Sequence, residues 1–591
     1  MMAMRMPIRT PVHSPIVVKL PAWRRRVLLV VVLLGFATLI GRGVYLQGIH
    51  KEFLQDKGDA RYSRSIVLKS QRGKITDRNG ELLAISTPVE SVWASPPDVK
   101  INKEQTKQLA ALLNLKIDVV KTKLANSERE FVYLKRRISP ELAAKVMKLG
   151  IPGIDLQREY KRYYPSGDVS AHMVGFTGPG DKGSGDRGLE GFELAKNAML
   201  SGKDGGRRVI KDRAGHIIED LQAVVVPQDG RDVALALDLR IQYLAHRELL
   251  KAVETHKALG GSVVVLDAKT GEVLAMANAP TYNPNNPINI KGKTRNRALI
   301  DNYEPGSTLK PVTAAAALES GKYSSETKIQ TAPGRLSIGP ATIHDSHPQE
   351  VLTVAEIIQK SSNVGASKIA LTLDKQFMWN IYNELGLGHI EGVGFPGEAA
   401  GRLRPYKTWR PIEMATMSFG HGISVTLLQM ARLYTVFANE GELRPISLLK
   451  INESANEPPV GHQVFSATTA NQVKNMLEMV VQPGGTAIKA QVLGYRVGGK
   501  TGTAHKLGDH GYIDDKYVAS FVGMAPASNP RFIIAVMIDE PSNGAYYGGA
   551  VAAPVFSAVM TDTLRLFSVQ QDAPNNNVVL VGNDEDAKEG I

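Results

Sequence analysis

The run Tyr303-Glu304-Pro305-Gly306-Ser307-Thr308-Leu309-Lys310-Pro311-Val312-Thr313-Ala314-Ala315-Ala316-Ala317-Leu318 decides how the rest of the chain is read. Pro305-Gly306 sets a turn, and the alanine-rich stretch behind it is a strong helix former. Ser307 therefore sits at or next to a helix start, with Lys310 one turn on and on the same face. A serine hydroxyl stays unreactive until a neighbour removes its proton. A lysine can do so only when burial and a second nearby cation lower its pKa from the ~10.4 of the free side chain. The helix N-terminus favours developing negative charge, and its backbone N–H groups can hold an oxyanion. Taken alone, the pair fits a capping serine beside a solvated lysine equally well.

What lies downstream tips that balance. Three short patterns matter together, Ser-x-x-Lys, Ser-x-Asn and Lys-Thr-Gly, and each has copies. Ser-x-x-Lys stands at Ser307/Lys310, Ser325/Lys328 and Ser447/Lys450, and Ser-x-Asn at Ser361/Asn363 and Ser454/Asn456. Lys-Thr-Gly stands at Lys269–Gly271 and Lys500–Gly502. Lys269-Thr270-Gly271 fills the turn of a hairpin, where Gly271 simply permits a positive φ. Lys500-Thr501-Gly502-Thr503 follows Gly498-Gly499 and reads as a strand whose glycines leave room for a ligand. Lys500 is the candidate second cation. Ser361 could relay a proton to a leaving amine, and Asn363 could bind a substrate amide and hold the lysine, while Ser362 points away. The catalytic candidates are therefore Ser307, Lys310, Ser361, Asn363 and Lys500, with Thr501, Gly502 and Thr503 on the strand that could line a ligand. His344 and His347 lack a third ligand, so no metal is expected.

Further out, the chain's 591 residues exceed one ordinary domain, and its 43% apolar and 22% charged residues suit a globular protein. It has no cysteine, which excludes disulfides, thiolate metal sites and a thiol nucleophile. The net charge of +13 is spread out and accompanies no nucleic-acid motif, so a partner of anionic lipid or wall polymer fits better than nucleic acid. Residues 1–51 contain no Asp or Glu, and Arg5, Arg9, Lys19 and Arg24–Arg26 precede the apolar run Val27–Ile40. As a helix, Val27–Ile49 would reach ~34 Å, enough to cross a bilayer core. The charge bias places the N-terminus in the cytoplasm and the bulk outside, with Arg42 near the far interface. A cleaved signal peptide is the rival reading, disfavoured because the apolar pattern continues past Gly41-Arg42-Gly43.

Between the span and the serine, Arg72–Ala84 reads as a β-hairpin turning at Asn79-Gly80. Residues 100–150 read as helical, and 163–206 as long ordered loops rich in Gly, Pro and Asp. A boundary falls near Pro227–Arg231. Beyond it come a strand at Val233–Leu237, a helix at Leu239–Glu254 and the hairpin Ser262–Ala277. Helices dominate 307–440, and strands return at 492–503, 517–525 and 531–538. The expected fold is α+β, an antiparallel sheet with a helical subdomain, preceded by an elongated pedestal and one transmembrane helix. The expected bounds are 1–26 for a basic tail, 27–49 for the anchor and 50–228 for the pedestal. The catalytic domain follows at 229–568, with a disordered tail at 569–591.

Tyr303–Lys310, Ser361-Ser362-Asn363-Val364-Gly365 and Lys500–Thr503 resemble the active-site motifs of class B penicillin-binding proteins. Arg72–Ala84, Tyr163–Pro165, Ala171–Gly175 and Gly188–Glu190 look like the pedestal of that class. Tyr517–Pro526 and Tyr546–Gly549 look like its closing strand and last loop. Glu304 and the Ser-Ser-Asn-Val form of the second motif look like the septal type. The resemblance implies a peptidoglycan D,D-transpeptidase of the bacterial inner membrane, single-pass, with its catalytic domain in the periplasm. It implies stem peptides as partners, a D-Ala-D-Ala donor and an amine acceptor, with Thr501, Gly502 and Thr503 binding substrate beside Lys500 and β-lactams acylating Ser307. It further implies a SEDS glycan polymerase of the FtsW kind and other divisome membrane proteins, and no cofactor. Secreted β-lactamases are disfavoured by the anchor and the missing Glu-x-x-Leu-Asn pattern, and bifunctional class A enzymes by the missing glycosyltransferase segment. A D,D-carboxypeptidase side activity stays open, as does a sensor whose serine only binds β-lactam.

Overall fold

A computed structural model describes residues 21–52, 63–125, 129, 131–179, 186–211, 217–286, 288, 290–451, 460–508 and 511–578. The basic residues Arg5, Arg9 and Lys19, the pair Ser454/Asn456 and tail residues 579–591 fall outside that set.

The apolar run forms the helix Ala22–Val44, followed by a π-helical turn at Tyr45–Ile49. The whole Ala22–Ile49 segment is long and apolar enough to span a membrane, and no side chain in it is covered by the rest of the protein. Among the described residues it is the one helix that passes this test, which fits a single N-terminal membrane anchor. Arg42 turns its guanidinium over the Tyr45 ring, 5.4 Å from the centroid, so at least part of its charge is met within the helix.

The pedestal is built on the long strand Leu82–Ala94, which pairs with Ile154–Tyr163 on one side and Val132–Ile138 on the other. The expected Asn79-Gly80 hairpin forms, with Gly80 at φ +91°. The Asp77 carboxylate ties the turn by accepting the N–H groups of Asn79 and Glu81, and also that of Leu239 at the start of the next domain's first helix. Residues 100–150 are only partly helical. Helices Lys103–Leu112, Ile117–Leu124 and Pro140–Met147 surround the strand Val132–Ile138, because pairing with Leu82–Ala94 decides that segment and its burial of only Leu134 and Ile138 fits either element. Below them, Glu193 is fully buried between Arg72 and Arg162, accepting from both Nε atoms at 2.6 Å. This ion triad pins the base of the sheet to the short helices at Gly191–Ala195 and Asn197–Leu200.

The catalytic domain centres on a five-stranded antiparallel sheet in the order Val273–Ala279, Gly260–Asp267, Phe532–Asp539, Gly511–Ala525, Gly498–Gly508. Every residue of Gly260–Asp267 and Phe532–Asp539 is buried, so both sheet faces are covered. Leu239–Thr255 and Ala553–Leu566 pack on the sheet and on each other, and Leu427–Leu433 packs on its central strands.

Several local expectations change. Of Val233–Leu237 only Val233–Ala234 is a strand, because its partner Ile75–Thr76 is that short. The strand expected at 492–503 begins at Gly498 and runs to Gly508, since Val492 and Tyr495 close a turn on each other. Inside 307–440 two small hairpin-like pairs interrupt the helices, at Lys328–Gln330 with Val351–Thr353 and Arg335–Ile338 with Ala341–His344. The tail expected from residue 569 is held at its start. Tyr495 donates to Val569 O, Asp572 accepts from Arg496 N and Ser528 N, and Asn577 caps the carbonyls of Val492 and Tyr495.

Candidate active site

Ser307 lies in a short 3-10 turn, Gly306–Leu309, that runs straight into the helix Lys310–Glu319. Gly306 has φ +55°, a conformation that favours glycine, and this bend aims the serine out of the helix start. Ser307 is 6% exposed and its hydroxyl makes no hydrogen bond among the described residues. Two other glycines make the elbow possible by close approach. A Cβ on Gly420 would lie 2.2 Å from Gly306 O, and one on Gly502 would lie 2.8 Å from Pro305 O and 2.6 Å from Ser520 Oγ. The third motif can therefore abut the nucleophile only because its third residue has no side chain.

Lys310 is 0% exposed, and its Nζ donates to Ser361 O at 2.5 Å and Ser361 Oγ at 3.1 Å. Ser361 holds the left-handed backbone (φ 62°) between the helices Val354–Lys360 and Asn363–Thr372, an unusual conformation for a non-glycine residue. That kink turns both its oxygens toward the lysine. Ser362 is instead the cap of Asn363–Thr372, accepting from Gly365 N, and it donates to Asp345. Asn363 gives its side-chain N–H to His344 O at 3.1 Å, so the lysine-holding contact expected of Asn363 is made by Ser361.

Lys500 is also 0% exposed, with Nζ 3.1 Å from Thr501 Oγ1, which in turn bonds Thr486 Oγ1 at 2.8 Å. Thr503 Oγ1 accepts Gly548 N–H at 3.1 Å, which ties the Tyr546–Gly549 loop to the strand. Three of the four motif copies that were set aside are visibly structural. Ser447 Oγ closes a turn with Leu449, and Ser325 Oγ bonds its neighbour Glu326. Lys269-Thr270-Gly271 caps a hairpin whose backbone is held by Asp267.

The structure adds contacts that the motifs do not show. Asp345, from the loop after Ala341–His344, accepts Asn363 N, Val364 N and Ser362 Oγ, so one carboxylate fixes the whole second motif at a helix N-terminus. Nothing in the sequence ties Asp345 to Ser361; the contact is made by folding. His421 is pressed between Phe419 and Tyr512. Burial, then the nearby charges of Lys310 and His505, lower its pKa to about 4, so its ring is neutral. Glu304 accepts Gly422 N–H at 2.7 Å and Tyr512 O–H at 2.8 Å, and burial raises its pKa. Among the described residues no group of three His, Asp or Glu side chains converges as metal ligands.

This arrangement can perform nucleophilic acyl transfer. It sets an unbonded serine hydroxyl at a helix start, an amine beneath it, a hydroxyl bonded to that amine and a second buried amine on an edge strand. Comparison with known proteins agrees. Residues 261–561 match the family model for the penicillin binding protein transpeptidase domain, and 67–235 match that for the penicillin-binding protein dimerisation domain. A protein of Neisseria gonorrhoeae named probable peptidoglycan D,D-transpeptidase PenA is 44% identical, covering 91% of this chain and 92% of its own length. Peptidoglycan D,D-transpeptidase FtsI of Escherichia coli strain K12 is 42% identical, with 93% of each chain covered. The apo transpeptidase domain of penicillin-binding protein 3 from Burkholderia pseudomallei superposes with a TM-score of 0.54 at 49% identity. That match covers 57% of this chain and 98% of the other.

Proposed function

This chain belongs to the penicillin-binding protein transpeptidase family, and from that premise we propose that it is a peptidoglycan D,D-transpeptidase closing stem-peptide cross-links at the division septum. The observation that carries the chemistry is the buried Lys310 side-chain amine, bonded to Ser361 one helical turn from the unbonded hydroxyl of Ser307.

In this reading Lys310 takes the Ser307 proton as Oγ attacks the carbonyl of the penultimate D-Ala. The oxyanion is met by the backbone N–H groups of Ser307 and Thr503. Lys500, Thr501 and Thr503 hold the terminal carboxylate, with Gly502 letting the edge strand close on the elbow that carries Ser307. Ser361 passes a proton from Lys310 to the departing D-Ala nitrogen, and Asn363 binds a donor amide. An amine of a second stem then displaces Ser307 from the ester. A β-lactam presents the same carbonyl and carboxylate, so it stops at the acyl-enzyme.

The anchor places this chemistry beside a bilayer. The basic residues before the span put the N-terminus in the cytoplasm and the catalytic domain in the periplasm, at the bacterial inner membrane. A SEDS glycan polymerase of the FtsW kind and other divisome proteins are the membrane partners.

Intact mass spectrometry after mixing with a penicillin tests the chemistry. One adduct mapped to Ser307 and lost in Ser307→Ala supports it; an adduct that survives Ser307→Ala removes it. Depletion in the native cell tests the septal assignment, with filaments expected and dividing round cells excluding it.

A further inference from the structure

Beside the elbow lies a cavity of about 340 Å³ whose lining includes Tyr303, Glu304, Ser424, His505 and Lys506. Its charges are mostly satisfied. Asp301 pairs with Arg295 and Arg297, and Asp539 with Arg297 and Lys506. Glu304 is the exception, for it has no basic partner among the described residues. Its two oxygens meet only the Gly422 N–H and the Tyr512 hydroxyl. A buried carboxylate without a cation is costly, and Glu304, 8% exposed, has lone pairs left for further donors.

The surroundings keep that position open to positive charge. His421, next to Gly422, is neutral, and its Nε2 is buried without a partner. The Tyr512 ring lies 6.1 Å from both the His421 and His505 rings, so the hydroxyl that meets the carboxylate belongs to an aromatic cluster. The same Gly420–Gly422 loop bonds Gly306 through Gly420 O and Glu304 through Gly422 N. Glu304 and the reacting serine are therefore held by one short segment.

We propose that Glu304, framed by Tyr512 and His421, is the receptor for the primary ammonium of the acceptor peptide and the first base for its proton. This rests on the transpeptidase reading above, in which the second half-reaction needs an amine that arrives protonated. The ammonium gives one proton to the Glu304 carboxylate, and the freed lone pair attacks the ester carbon on Ser307. As the C–N bond forms and the C–Oγ bond breaks, the second nitrogen proton passes to Oγ, leaving an amide, Ser307 restored and a protonated Glu304 that returns its proton to water. Tyr512, whose pKa burial raises further above its ordinary value, stays protonated and steadies the carboxylate.

The test uses the full chain in detergent, a D-alanyl thioester donor and a stem peptide with a free side-chain amine, against the same peptide acetylated there. Amide and hydrolysis products are counted by mass spectrometry. For the native chain the free amine forms amide and the acetylated peptide does not. In Glu304→Gln the amide-to-hydrolysis ratio falls at least tenfold and the half-saturating amine concentration rises at least tenfold, with a smaller change in Tyr512→Phe. An unchanged ratio in a Glu304→Gln protein that penicillin still acylates overturns the proposal. If Glu304→Gln does not fold, the native penicilloyl-protein should bind the free-amine peptide at least tenfold more tightly than the acetylated one, and equal binding overturns it. If penicillin fails to acylate the native chain, the transpeptidase reading itself falls and this proposal with it.

Discussion

The same three residues, Lys-Thr-Gly, occur twice in one sheet and do two different things. At Lys269–Gly271 they cap the hairpin joining Gly260–Asp267 to Val273–Ala279, with Gly271 at φ +75° and its Cα against Pro445 O. At Lys500–Gly502 they lie inside an edge strand, with Lys500 wholly buried and Gly502 pressed on the elbow of Ser307. In the turn, glycine supplies a backbone angle; in the strand, it supplies room. The lysines differ as much. Lys269 is half-buried near the Ala438 carbonyl, whereas Lys500 is enclosed beside Thr501. A tripeptide carries chemistry only through what the fold sets around it.

That contrast can be broken by experiment, beginning with its largest effect. Lys310→Ala should reduce the acylation rate by ~10²–10⁴-fold or more, the scale of a lost general base, measured by stopped-flow with a chromogenic cephalosporin. Lys500→Ala should cost about 10²-fold, as removal of one preorganised charge does. Lys269→Ala should change acylation less than about twofold, within the small effects typical of sites away from the chemistry. Equal losses at 269 and 500 would erase the distinction.

The glycines sharpen it next. Gly502→Ala should slow acylation about tenfold while lowering stability by roughly 1–3 kcal/mol through overpacking. Gly271→Ala should lower the melting temperature by at least as much, because the left-handed angle adds strain, yet leave the acylation rate per folded molecule unchanged. Thermal melts paired with rate measurements separate the two. Asp345→Ala, which leaves the N–H groups of Asn363 and Val364 without an acceptor, should cost about 1–3 kcal/mol and slow acylation by loosening Ser361.

The smallest effect is a dependence on pH. His172 in the pedestal and His421 at the site both have pKa values lowered to about 4 by burial. Each is neutral when folded and binds a proton more readily when unfolded, so its contribution is complete above the ordinary histidine pKa near ~6.5. The melting temperature should fall as pH drops from about 6.5 toward 4, and His172→Phe should flatten part of that slope.

The elbow was legible because its signals are local: Pro-Gly before Ser307 and an alanine-rich helix after it need no distant partner. The hairpin at Ser262–Ala277 was legible for the same reason. The helical reading of 100–150 missed Val132–Ile138, whose strand character comes from pairing with Leu82–Ala94 some forty residues earlier. The start of the tail was misread because its few polar groups bond Tyr495, Arg496 and Ser528, contacts that composition does not record.

By itself the sequence determined the order and spacing of the chemical groups, the one apolar span and the turn that exposes Ser307. Those depend on neighbours along the chain, where hydrogen bonding and periodicity act within a few residues. Only the tertiary structure decided that Ser361 rather than Asn363 receives Lys310, that Asp345 fixes the second motif and that Glu304 is bonded by Tyr512 beside a cavity. Those contacts join residues from tens to hundreds of positions apart, beyond the reach of any local pattern.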